Sequence, residues 1–349
     1  MNLNALDVLG LSDAARRMRR ERGDAGAMRN PWLWMTILLG LGACNAEQST
    51  LHVFGAEARE VRRMAGILAT GAILIVAIMA ALYVRAVRAP EGALSHQGGM
   101  RLVLWLGAIG PALILTALLL YALPAMRPRT AGPDDLVVRV DGEQFWWRIA
   151  YRPAGAGGEL RSANEVRIPV GRPVVFELTA QDVIHSFWIP GLAGKMDMIP
   201  GRINRLVVRA EKPGRFRGVC AEFCGLSHAL MAFDVIVMEG PAFDAWLDRS
   251  RGGSKGARAS MGAALFDAQG CGGCHAVRGT PYDATIGPDL SRFGERRTLG
   301  AGILPPTLDN IAAFIRAPQA AKPGARMPAY PQLSVGQARA IALYLKGLQ

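Results

Sequence analysis

The sequence predicts a multi-domain chain: two transmembrane α-helices, then an all-β domain, then a C-terminal domain built around a C-x-x-C-H string. Three observations predict it. Two apolar runs, at about Met64–Val84 and Leu102–Leu123, each hold roughly twenty residues without a charge, enough to cross a ~30 Å hydrocarbon core as a helix. From Leu136 onward the text turns to short β-rich runs between Pro and Gly turns. After Trp246 it turns again, to a Gly/Ser/basic stretch that precedes the cysteine motif.

Composition supports a partly membrane-embedded protein. Of the 349 residues, 51% are hydrophobic and 19% charged, and the mean hydropathy is +0.19, which argues against a disordered chain and against an ordinary cytosolic enzyme. The net charge of +12 comes from arginines spread singly along the chain, with no aromatic-interleaved basic patch. Nucleic acid is therefore not the expected partner.

In the first 44 residues, the short apolar run 31–43 behind Arg29 suits a signal-peptide core and is too short to span a bilayer. It ends in Leu41-Gly42-Ala43-Cys44, which resembles a bacterial lipobox with Cys44 as the lipid-attachment residue; the alternative is a short buried helix with an incidental cysteine. Met28 offers a second start, leaving residues 1–27 without a predicted fold. Residues 45–124 form the transmembrane hairpin. Its connector carries Arg85, Arg88 and Arg101 against Glu91, so the positive-inside rule puts the connector in the cytoplasm and both ends outside, although arginines also flank the outer ends.

The segment 136–248 contains LVVRV (136–140), PVVFELT (173–179) and RLVVRA (205–210), short strands whose spacing argues a sandwich or barrel. It also carries His185 and the string Cys220-Ala-Glu222-Phe-Cys224-Gly-Leu-Ser-His228-Ala-Leu-Met231. Thiolates, imidazoles and a thioether together select copper. A single-copper electron-transfer site needs one cysteine, and here there are two. Thiolates four positions apart can bridge two metal ions, with His185, His228, Met231 and a backbone carbonyl completing the set. A Cys2His2 zinc site is the rival reading, and it leaves Met231 unexplained.

Residues 249–260 (RSRGGSKGARAS) read as a flexible linker, able to hold the next domain at millimolar effective concentration beside the copper ligands. In 261–349, Cys271-Gly-Gly-Cys274-His275 reads as covalent haem attachment: two thioethers, with His275 as the proximal iron ligand. A redox C-x-x-C lacks its βαβ context here, and a zinc knuckle lacks further ligands.

Read together, FWW (145–147), HSFWIP (185–190), GKMDMIPGR (194–202) and CAEFCGLSHALM (220–231) resemble subunit II of haem-copper cytochrome c oxidase. That resemblance implies a cupredoxin-like Greek-key domain with a binuclear CuA centre of two coppers. Cys220 and Cys224 would bridge, His185 and His228 would be terminal ligands, Met231 a weak ligand and Glu222 a carbonyl ligand, its side chain reaching an interfacial magnesium shared with subunit I. Residues 262–349 resemble a class I, all-α cytochrome c, through Gly287-Pro288-Asp289-Leu290, Arg326-Met327-Pro328 and LSVGQARAIALYLKGL (333–348); the resemblance makes Met327 the sixth iron ligand. A Met/His pair raises the haem potential for electron transfer. His52 and His96 remain outside both sets.

The combination resembles the cytochrome-fused bacterial form of this subunit, in the inner membrane with both redox domains on the outer side. Its implied partners are oxidase subunit I, further oxidase subunits and an exported donor such as cytochrome c. The implied path runs from haem c to CuA to subunit I, which reduces oxygen with proton translocation; this chain itself holds no oxygen site. Two departures stand out. Where many members read QWYW this chain has Gln144-Phe145-Trp146-Trp147, leaving Trp146 and Trp147 as candidates for electron input, and Gly99-Met100-Arg101-Leu102-Val103 lacks the carboxylate many members carry there. The CuA subunit of a nitric oxide reductase and a stand-alone membrane-tethered carrier are the rival functions.

Overall fold

The computed structural model describes residues 45–90, 92–127, 129–152, 158–254, 256 and 260–349. The signal-like run, the lipobox and Cys44 lie outside them.

Two helices come first, α1 (Ala56–Arg88) and α2 (His96–Ala122), and both are longer than the uncharged runs that predict them. The extension follows from the flanks. Charged ends such as Glu57 to Arg63 continue the helix beyond the apolar stretch, and Ser95 caps α2 by accepting from the Gly98 amide. Among the described residues, nothing covers the apolar window of either helix. Exposed Ile, Leu and Val on all sides need lipid as their solvent. A π-helical stretch, Trp105–Ile109, interrupts α2. The outer ends of the hairpin meet: Arg129 pairs with Glu57 at 2.9 Å, and Glu57 also accepts from the Arg209 amide of the β domain. Phe54 stacks on Phe216 with ring centres 3.4 Å apart, so the start of α1 is anchored in the β-domain core.

That core lies between two five-stranded sheets. The strands are β1 (Leu136–Glu143), β2 (Trp146–Arg152), β3 (Leu160–Ala163), β4 (Glu165–Pro169), β5 (Pro173–Ala180), β6 (His185–Trp188), β7 (Met196–Met198), β8 (Asn204–Arg209), β9 (Gly214–Cys220) and β10 (Ala232–Met238). One sheet runs β3-β2-β1-β5-β8, the other β4-β10-β9-β6-β7. The pairs β1–β5 and β4–β10 are parallel, the others antiparallel. Alternation along β1 and β2 sends Val138, Val140, Trp147 and Ile149 inward, each 0% exposed. The expected sandwich is thus present.

Helix α3 (Gly240–Arg251) follows β10 directly, with Phe243, Trp246 and Leu247 buried. Here the expectation of a flexible linker over 249–260 is corrected. Residues 249–251 belong to α3, and Ser250 and Ser254 are buried. Ser254 donates to the Arg278 carbonyl through its amide and to the Ser291 carbonyl through its hydroxyl, so the first half of this run is held down by hydrogen bonds. Residues 255 and 257–259 lie outside the described part.

The C-terminal domain is helical: α4 (Met261–Ala268), α5 (Leu308–Arg316), the short α6 (Pro318–Ala321) and α7 (Val335–Gly347). The closing helix read over 333–348 begins with a capping box, in which Ser334 and Gln337 each satisfy the other's backbone amide. Its face of Ala338, Ile341, Ala342, Tyr344 and Leu345 is buried against α4 and α5. Where α4 and α7 cross, a Cβ on Gly262 would sit 2.0 Å from the Ala340 carbonyl oxygen, so only glycine permits this approach.

Candidate functional site: two electron-transfer centres

The first site is made by β6, β9 and the loop after β9. Pairing of Phe187 with Cys220 across the two strands puts His185, first in β6, beside Cys220, last in β9. The chain then curls through 221–231 and enters β10 directly after Met231. The Cys220 and Cys224 sulfurs stand 3.8 Å apart. Cys220 Sγ lies 3.9 Å from His185 Nδ1 and 3.2 Å from the Glu222 carbonyl oxygen. Cys224 Sγ lies 3.7 Å from His228 Nδ1 and 3.8 Å from Met231 Sδ. The donors therefore sort into two sets about a sulfur pair. A hydrogen bond with Cys224, helped by one with His185, pulls the Cys220 thiol far below its usual range despite burial; the same hydrogen bond, together with burial, pushes the Cys224 thiol up. Two thiolates this close repel unless cations lie with them. Imidazole, thioether and carbonyl beside such a pair fit two coppers, and the Met231 sulfur at this distance argues against a Cys2His2 zinc site.

Around the donors the structure supplies partners that the motif does not announce. His185 Nε2 is 2.9 Å from Asp182 Oδ1, which leaves Nδ1 for metal and fixes the ring, the usual arrangement of a ligating histidine. Burial opposes ionisation of Asp182, yet hydrogen bonds from the Gln144 amide, His185 and the Val183 amide hold its carboxyl below the ordinary range. Gln144 Nε2 donates to the Cys224 carbonyl at 2.6 Å. The spacing Asp-x-x-His was a legible signal for Asp182; nothing local in sequence marked Gln144. Glu222 turns its side chain outward, where its carboxylate is 3.7 Å from Lys195 Nζ.

The second site lines a cavity of about 750 Å3. Cys271, Cys274, His275 and Met327 all stand on its wall, together with Pro288 and Tyr330. Cys271 opens a single 3-10 turn, and the His275 amide closes back on the Cys271 carbonyl at 3.0 Å, which brings thiols and imidazole together. His275 Nδ1 donates to the Pro288 carbonyl at 2.8 Å, leaving Nε2 as the ligating nitrogen. Burial keeps this imidazole neutral, as an iron ligand must be. Gly287 is needed here, because a Cβ on it would lie 2.8 Å from the His275 ring. Two thiols, a neutral oriented imidazole and a thioether on a large cavity fit a covalently bound haem.

The two candidates for electron input part company. Trp147 is 0% exposed, edge-on to Phe187 and Phe233 in the sandwich core, because inward alternation in β2 buries it away from the surface a donor would meet. Trp146, one residue earlier, lines the second cavity under the Arg148 guanidinium. His52 and His96 are exposed.

A β-sandwich with a His/Cys/Cys/Met cluster of the copper-binding kind, two membrane-length helices and a C-x-x-C-H domain define a membrane-bound electron-transfer subunit of a terminal oxidase. Residues 152–239 match the family described as "Cytochrome C oxidase subunit II, periplasmic domain", and residues 259–349 match "Cytochrome c". Over 221 residues the chain is 42% identical to cytochrome c oxidase subunit 2 of Alkalihalophilus pseudofirmus, covering 62% of this chain and 63% of that relative's length. Over 254 residues it is 35% identical to the Bacillus subtilis subunit, covering 68% and 69%. The crystal structure of the periplasmic domain of subunit II of cytochrome oxidase from Bradyrhizobium japonicum aligns at 32% identity and a TM-score of 0.32, over 35% of this chain and 97% of that one. The chain belongs to the cytochrome c oxidase subunit II family, in the form that carries a cytochrome c domain at its C terminus.

Proposed function

We propose that this chain is the electron-input subunit of the oxidase: electrons from an exported donor, cytochrome c or another carrier, reach the C-terminal domain, cross to the copper domain and leave for subunit I, where oxygen is reduced and protons are translocated. The observation that carries the proposal is the convergence of the His185, Cys220, Cys224, His228 and Met231 donor atoms. A copper pair held by these residues and the Glu222 carbonyl, and a haem held by Cys271, Cys274, His275 and Met327, supply two one-electron sites. Donors held at the ends of β6 and β9 and in the short loop that leads into β10 move little when charge changes, which keeps reorganisation small. Burial of His185, Cys220 and Cys224 excludes water from the sulfur pair. Asp182 and the Pro288 carbonyl hold the two histidine rings in the tautomer that leaves one nitrogen free for metal.

The membrane arrangement belongs to the same reading: two passes through a bacterial plasma membrane, the arginine-bearing connector in the cytoplasm and both redox domains outside. Glu222, turned outward, would contribute to a magnesium site against subunit I. The test is metal analysis with optical and electron paramagnetic resonance spectra of the purified protein. Two coppers per chain sharing one unpaired electron, a low-spin haem and co-purification of a multi-helix haem subunit are expected. In Cys224→Ser the shared-electron spectrum should give way to a single-copper pattern or to no copper; an unchanged spectrum would sink the assignment.

A further inference from the structure

The two redox domains touch through a short run of chain that contains a buried lysine. Residues 322–326 lead into Met327, and they lie on the loop 225–231 that carries His228 and Met231. Lys322 is 3% exposed, and no carboxylate among the described residues lies within ion-pair distance of it. A buried ammonium in that position is costly unless acceptors take its protons. Here two carbonyl oxygens do so: Leu230 in the copper loop at 2.9 Å, and Gly300 in the cytochrome domain at 2.6 Å. Next to it the fully buried Ser227 donates its hydroxyl hydrogen to the Pro323 carbonyl at 2.6 Å. Leu230 immediately precedes Met231 and Ser227 immediately precedes His228, so an interdomain hydrogen bond is made beside each of these two donors. Arg326 pairs with Asp182 at 3.0 Å, but its side chain is 63% exposed, and such a pair is weak and screened by salt. A desolvated lysine shared between two carbonyls is not screened in this way.

We propose that Lys322 is a positioning residue that clamps the copper-ligand loop to the methionine loop of the haem cavity, holding the two centres at one separation. This rests on the assignment of copper and haem given above. One-electron transfer through protein falls steeply with distance, so a register set beside Met231 and just before Met327 fixes the rate without Lys322 touching either metal.

The experiment uses the full chain loaded with both cofactors in detergent, and compares Lys322→Met and Lys322→Arg with the unmutated protein. In Lys322→Met the optical and resonance spectra of both centres should be unchanged, while the haem-to-copper distance distribution from pulsed dipolar spectroscopy broadens and flash-induced transfer slows at least tenfold. Lys322→Arg, which keeps a cation with several donors, should recover most of the native distribution. A native distribution and rate in Lys322→Met would overturn the proposal, as would an arginine variant as broad as the methionine one. Should Lys322→Met fail to accumulate, the unmutated chain gives the answer: Lys322 should resist amine acylation while the half-exposed Lys195 reacts, and equal rates would overturn the clamp. Loss of either metal signal in the unmutated protein would instead sink the assignment of the centres.

Discussion

At the scale of single residues, two of the candidate ligands, His185 and His275, are each held by an acceptor that fixes which ring nitrogen is free: Asp182 for the first and the Pro288 carbonyl for the second. Asp182 joins the two sites, accepting from His185 Nε2 and from the Arg326 guanidinium of the cytochrome domain. Replacing Asp182 by Ala should free the His185 ring and lower copper affinity roughly ten- to hundredfold, as loss of a ligand's hydrogen-bond partner does elsewhere. Arg326→Gln, which touches only the far side of Asp182, should leave copper affinity unchanged. Competition with a copper chelator measures both. On the haem side, Met327→Ala should leave haem attached through Cys271 and Cys274 and open the sixth position to water; the weak methionine–iron absorption at the red end of the spectrum should vanish. Its survival would assign the sixth ligand to another residue.

Among elements, strand order and helix crossing do the positioning. The adjacency of β6 and β9 closes the 35-residue gap between His185 and Cys220, and the three-residue 3-10 turn His228–Leu230 sets the last two candidate donors, His228 and Met231. In the cytochrome domain the α4–α7 crossing closes the fold around the cavity, and Gly262 permits it. Gly262→Val would drive a side chain into the Ala340 carbonyl. The cost should reach at least about 3 kcal/mol, the upper end of overpacking penalties. Calorimetry should then show the cytochrome transition shifted down while the copper-domain transition stays in place.

For the whole molecule, the tether is only part of what joins haem to copper. Thr298 donates to Asp234 at 2.5 Å, the Ala232 amide to the Ala301 carbonyl at 3.0 Å, and Arg217 to the Gly302 carbonyl at 2.8 Å, so the cytochrome domain rests on β9 and β10 as well as on the copper loop. Cutting the chain between Lys255 and Arg258 should leave both spectra intact. At high protein concentration and low salt the cut form should transfer electrons as fast as the uncut one, because the interface persists. On dilution, and on adding salt that screens pairs such as Arg326–Asp182, the cut form should slow while the uncut form does not. Stopped-flow reduction of copper from pre-reduced haem, run across a dilution series, checks this; a cut form insensitive to both variables would mean that the interface binds without help from the tether.

Much of this protein was legible in the sequence because its chemistry is local. Cys271, Cys274 and His275 are consecutive or nearly so, and a helical turn suffices to bring them together. Cys220 to Met231 occupy one loop, and uncharged apolar runs announce membrane helices through composition alone. The sequence therefore determined the broad architecture and the family, and it marked the residues of the two candidate donor sets. Tertiary structure decided what depends on distant segments meeting. It set Gln144 and Lys322 against the copper loop. It turned Trp147 into the core while Trp146 faces the cavity, and it tied down the first half of a run whose Gly/Ser/basic composition reads as linker. Such contacts arise from pairing and packing between chain segments tens of residues or more apart, and the free energy that selects them belongs to the closed interface and not to any local pattern.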